Sequence, residues 1–112
     1  MAKALGDIAL LKNSELAFAQ ARLASGDKAG ALELALSLSA YFGEKGKHES
    51  ELRSLAILIE ASRSPERAQY VERARGTLAK LHSDFAADFP GFAARPDIHR
   101  VIARAGLTSD IR

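Results

Sequence analysis

The side chains in this sequence best suited to binding a metal or moving a proton near neutral pH are His48, His82 and His99. They lie in three separate stretches, with neither a His-x-x-x-His nor a Glu-x-x-His spacing to set two ligands side by side on one helix face. Asp84 and Asp88 are four residues apart. On a helix that spacing puts both carboxylates on one face, which is useful for acid–base chemistry when a pocket separates their proton affinities. No such pocket is indicated here, and the pair reads as the polar end of a helix. Gly43-Glu44-Lys45-Gly46 sets two glycines beside a lysine, but the Gly-x-x-x-x-Gly-Lys-Ser/Thr order of a phosphate loop is missing. The serines have no evident base near them in sequence. Cysteine is absent, which excludes thiol catalysis, thiolate metal sites and a disulfide scaffold. The expectation is a protein that is not an enzyme and holds neither metal nor cofactor.

Charge gives a second lead. The chain of 112 residues has a formal charge of +2, unevenly placed. Residues 1–60 carry seven basic against eight acidic residues, whereas residues 61–112 carry nine against six, and eight of those nine are arginine. Arg67, Arg73 and Arg75, followed by Arg95, Arg100 and Arg104, could form a basic patch for nucleic acid or another acidic partner. A nucleic-acid face usually shows a stronger basic stripe with interleaved aromatics, so nucleic acid ranks as the alternative. Glu66, Glu72, Asp88 and Asp97 are close enough in sequence to act as counter-charges.

The elements that must position these residues are helices. Hydrophobic residues make up 47% of the chain, much of it alanine, with five Phe, two Tyr and no Trp. Alanine favours helices and lets them pack closely, while β-branched and aromatic residues are too scarce for a sheet. Asp7 is the expected cap of a first helix running from Ile8 to Ser25, with a kink or second start near Asn13-Ser14. Gly26 supplies a left-handed stop and Asp27 the next cap. A second helix follows over about 28–42, with Ala31, Leu32, Ala35, Leu38 and Phe42 on one side. Residues 43–47 read as a loop, and a third helix spans about 48–63 with Leu52, Leu55, Ala56 and Ile59 inward. Ser64-Pro65-Glu66 signals a fourth helix to about Ala87, whose inner stripe is Ala68, Val71, Leu78, Leu81 and Phe85. Phe89-Pro90-Gly91 is expected to break it. A short fifth helix at about 96–105 packs Ile98, Val101 and Ile102 inward and stops at Gly106, leaving a frayed tail.

The first pair, Ala19-Gln-Ala-Arg-Leu-Ala-Ser-Gly-Asp-Lys-Ala-Gly-Ala, resembles a tetratricopeptide repeat. Ala19 matches its small helix-A position, Gly26 its turn glycine and Ala31 its helix-B alanine. In the second pair Leu55-Ala56 stands where Leu-Gly is usual and Ala68 takes the helix-B alanine, although Arg63-Ser64 replaces the Gly-Asp turn. Ala31 and Ala68 are 37 residues apart, against about 34 in a standard repeat. Phe92-Ala-Ala-Arg-Pro-Asp-Ile is similar to the short helix that closes some bacterial arrays.

The resemblance implies an all-α fold of antiparallel hairpins stacked as a short tetratricopeptide-like solenoid. One domain would hold four main helices, paired over about 8–42 and 48–87, and a short C-terminal capping helix at 96–105. It further implies a protein–protein interaction or scaffold module with a groove lined by Asn13, Leu16, Gln20, Leu23, Ser50, Arg53, Ile57 and Glu60. The Lys/Asn pattern with which family members clamp a terminal carboxylate is incomplete. Leu16 and Ile57 would equally suit contact with a neighbouring repeat. An array usually needs about three repeats, so a terminal piece of a longer array, or self-association through Ile8, Leu10 and Leu11, is expected. No apolar run reaches the roughly 18 residues of a membrane span, and the first residues lack a signal peptide's apolar core. A cytoplasmic protein is expected.

Overall fold

Where the first hairpin turns back is decided at Gly26. The computed structural model describes residues 2–107, with side chains for residue 8 and from residue 10 onward. Its first helix, α1 (Ala2–Ala24), is closed by Gly26 at φ +93°, a region that costs other residues a Cβ clash. The Gly26 N–H donates to the Leu23 carbonyl at 3.1 Å and the Asp27 N–H to the Arg22 carbonyl at 2.9 Å, a Schellman closure. Asp27 then caps α2 (Lys28–Glu44), its carboxylate accepting from the Gly30 N–H at 3.0 Å. The backbone bond to Gly30, with Arg22 second, holds the Asp27 carboxyl below its usual range.

Two expectations about α1 need correction. The helix begins at Ala2, so Asp7 lies inside it rather than capping it; Ala2, Lys3, Ala4 and Leu5 before it are all good helix formers. Helix also continues unbroken through Asn13 and Ser14. The glycine loop is likewise shorter than expected: α2 runs through Gly43 to Glu44, and only residues 45–47 connect it to α3 (His48–Ala61). Gly43 is helical for a packing reason. A Cβ there would come within 2.9 Å of the Glu51 carboxylate, so the missing side chain leaves room for that group.

α3 is the centre of the fold. It packs on α1, on α2 and on α4 (Glu66–Phe85), and Leu52, Leu55, Leu58 and Ile59 are sealed from solvent. Ile57 and Leu58 are buried together with the expected Leu55, Ala56 and Ile59, because a helix with neighbours on several sides needs more than one apolar stripe. At the close contacts Ser39, Ser54 and Thr77 return their hydroxyls to carbonyls of their own helices at 3.0–3.1 Å, so burying them leaves no donor unmet.

The second hairpin departs most from expectation. α3 ends at Ala61, short of Arg63, and α4 starts at Glu66, so the N-cap position falls on Pro65, which has no side-chain acceptor, and Ser64 makes no cap bond. Ala68 is exposed, whereas Ala74, Thr77, Leu78 and Leu81 face the core. The buried alanine of α4 is thus six residues, about 1.7 turns, further along than the repeat pattern places it. Val71 is half-buried and Phe85 exposed. α4 stops at Phe85, where Ala86 takes φ +48°, and residues 86–88 form a single 3-10 turn. Phe89-Pro90-Gly91 does not break the chain but opens α5 (Phe89–Ala94), because proline in a first helical turn has no backbone bond to lose. Phe89 and Phe92 are buried there, and Phe85 stacks on Phe92 with centroids 4.2 Å apart.

α6 (Pro96–Arg104) lies on α3 and α5, with Ile98 and Ile102 fully buried and Val101 half-buried. Gly106 closes it with the same paired bonds seen at Gly26. Leu107 belongs to the core rather than to a frayed tail; the rest of that expected tail, residues 108–112, lies outside the described residues. Among the described residues no strand occurs, and no helix is long and apolar enough to cross a membrane.

Candidate functional site

α1, α3 and α6 leave a cleft of about 550 Å³ between them, within the size range of ligand pockets. α1 contributes Gln20, Leu23 and Ala24, α3 contributes Arg53, Ala56, Ile57 and Glu60, and α6 adds Asp97, Arg100, Val101 and Arg104. The α6 residues are spaced three, one and three apart, which sets all four on one face. Ile98 and Ile102 anchor the opposite side of the helix and fix the direction of that face. Ala56 and Ile57 are almost fully buried and, with Leu23 and Val101, form an apolar floor.

A four-residue clasp holds one end of the cleft. Arg53 Nη2 donates to Asp97 Oδ2 at 2.7 Å and to Glu49 Oε2 at 3.3 Å. Arg95 Nη2 donates to the same Asp97 oxygen at 2.9 Å, and its Nη1 lies 3.8 Å from Glu49. Bonds from Arg95, and after it Arg53, hold the Asp97 carboxyl down at about 2. At the other end Arg104 Nε lies 3.7 Å from Glu60 Oε1. Arg100 is exposed and has no hydrogen-bond or ion-pair partner among the described residues.

Five of the eight expected groove residues meet here: Gln20, Leu23, Arg53, Ile57 and Glu60. Asn13, Leu16 and Ser50 do not line the cleft. Leu16 is 6% exposed and belongs to the hydrophobic core instead. Two residues of the expected basic patch, Arg100 and Arg104, join the groove set, while Asp97, Val101, Ala24 and Ala56 complete a lining that was not anticipated. The one sequence signal for the α6 contribution is the spacing 97, 100, 101, 104, whereas Val101 was expected inward with Ile98 and Ile102.

The other candidates are dispersed. The basic patch is split: Arg67 and Arg73 are exposed on α4, and Arg75 pairs with Glu72 beside a shallow depression formed with Leu78, Ala79, His82 and Phe89. None of these three lines the cleft. His48 lies 3.6 Å from Glu51 and 3.9 Å from Asp84, His82 packs against the Phe89 ring at 4.5 Å, and His99 is exposed on α6. Asp84 and Asp88 do not share a helix face, since α4 ends between them. No cluster of three His, Asp or Glu side chains suited to a metal occurs among the described residues. The cleft can bury a few apolar atoms and pair with charges, both of which are means of recognition. No protein-family model, no curated protein and no solved structure matches this chain.

Proposed function

We propose that this chain is a non-catalytic protein–protein interaction or scaffold module of tetratricopeptide-like build, which offers the α1/α3/α6 cleft to a protein or peptide partner. The observation that carries this is the cleft itself: an apolar floor with a polar, charged rim, built from helix faces that their own packing holds in place. The tetratricopeptide-like reading draws support from the packing of α3 against both helices of the first pair, and from Ala19 and Ala31, both sealed from solvent in that pair. The exposed Ala68 weakens the match of the second pair. Ile8, Leu10, Leu11 and Phe18 are exposed on α1 and would suit a neighbouring repeat or a second copy. Nucleic-acid binding ranks second, because the arginines that would form one stripe are divided between α4 and α6.

Peptides selected on the protein from a random displayed library test this. Ala24 is exposed at the cleft, so Ala24→Trp obstructs it without entering the core. Selected peptides should lose binding to that variant while its melting is unchanged. Undiminished binding to Ala24→Trp would place the interaction surface elsewhere.

A further inference from the structure

The cleft has an unbalanced set of charges. Three arginines and two acids line it, but Asp97 is already engaged by both Arg53 and Arg95. Arg53 is committed to the clasp, with its side chain only 20% exposed. Glu60 meets Arg104 only at 3.7 Å, and Arg104 is 60% exposed. Arg100 has no partner among the described residues. The positive charge without a partner among the described residues is therefore Arg100 on α6, and the exposed Arg104, paired with Glu60 at 3.7 Å, stands four residues further on, about 6 Å along one face. Each guanidinium presents planar donors matched to a carboxylate.

We propose that the cleft takes an acidic amphipathic segment of a partner protein. One apolar side chain seats on Ala56, Ile57 and Val101, and carboxylates one helical turn apart meet Arg100 and Arg104. This rests on the cleft being the binding surface. The lining also argues against a nucleic acid there: it has no aromatic ring on which a base could stack, and Glu60 and Asp97 would face the phosphates. Charge complementarity with an apolar floor favours acids flanking a hydrophobic anchor.

A charge swap tests the assignment. The probes are three alanine-based helical peptides, acetylated and amidated, each with a central leucine flanked on neighbouring turns by Glu, by Gln or by Lys. Fluorescence anisotropy should show the Glu peptide binding, and the Gln peptide about tenfold weaker, as expected for two partly exposed ion pairs. Added salt should shrink that gap. The double variant Arg100→Glu, Arg104→Glu should prefer the Lys peptide, and Arg100→Gln, Arg104→Gln should discriminate among none of them. Both positions are exposed, so the variants should melt close to the parent. If all three peptides bind the parent alike and compete for the cleft, the charge assignment is overturned while the cleft remains the binding surface. If no peptide binds, or a DNA duplex displaces the Glu peptide through Arg100 and Arg104, the acidic-segment proposal is overturned.

Discussion

Replacing three alanines with leucine, one at a time, separates the packing seen here from the pattern of a regular repeat. Ala31 is 0% exposed in α2, which packs on both α1 and α3, and Ala19 on α1 is equally sealed. Leucine adds three carbons at a position with no free surface. Overpacking of that kind costs about 1–3 kcal/mol. For a domain of this size 1 kcal/mol moves the melting temperature by about 4–8 °C, so Ala31→Leu should melt roughly 5–20 °C below the parent. Ala74 is equally inaccessible on α4 and should show the same penalty. Ala68 is exposed, so Ala68→Leu should stay within about 0.5 kcal/mol of the parent. Thermal unfolding followed by circular dichroism reads all three. A fall for Ala68→Leu as large as that for Ala31→Leu would mean that α4 packs in the register of a regular repeat, and would refute the placement of Ala74 against α3. An unchanged Ala31→Leu would refute the first crossing.

Three further outcomes follow from the same geometry. Asp97 ionises well below its ordinary 3.8, so its contacts stabilise the fold above about pH 4 and are lost as the pH falls from there toward 2. Asp97→Asn should therefore melt below the parent at neutral pH and converge with it near pH 2 in a melting series. Gly26→Ala meets no neighbouring atom, and its cost comes from the left-handed backbone alone, about 1–2 kcal/mol in denaturant titrations. Replacing Arg67, Arg73 and Arg75 together with Gln should leave peptide affinity for the cleft unchanged, because none of the three lines it.

The parts of the fold legible in the sequence are those set by local chemistry. Gly26 and Gly106 mark their helix ends because a left-handed closure needs a residue without a Cβ, and Asp27 marks a start because its carboxylate accepts from a free amide. Tertiary contact decided the rest. Alanine serves equally well in solvent and at a helix crossing, so the sequence of α4 does not reveal that Ala74 rather than Ala68 faces inward. Gly43 looks like a loop residue until the Glu51 carboxylate is seen to lie against it, 2.9 Å from where its Cβ would be. Phe89-Pro90-Gly91 carries the residues of a break, yet burial of Phe89 and Phe92 makes it a helix start. In the cleft, the tetratricopeptide resemblance named Gln20, Leu23, Arg53, Ile57 and Glu60, which the fold brings together. It could not show that α6 folds onto α3 and brings Arg100 and Arg104 to the same site, since that depends on Ile98 and Ile102 finding the core.

The claim that the α1/α3/α6 cleft is the binding surface is tested most directly by titrating the isotope-labelled protein with the Glu-bearing peptide and following its amide resonances. The account predicts that shifts concentrate at Leu23, Arg53, Ile57, Glu60, Arg100 and Val101 and are absent from the same titration of Ala24→Trp. Shifts centred on Arg67, Arg73 and Arg75, or on the exposed α1 residues Leu11 and Phe18, would contradict it.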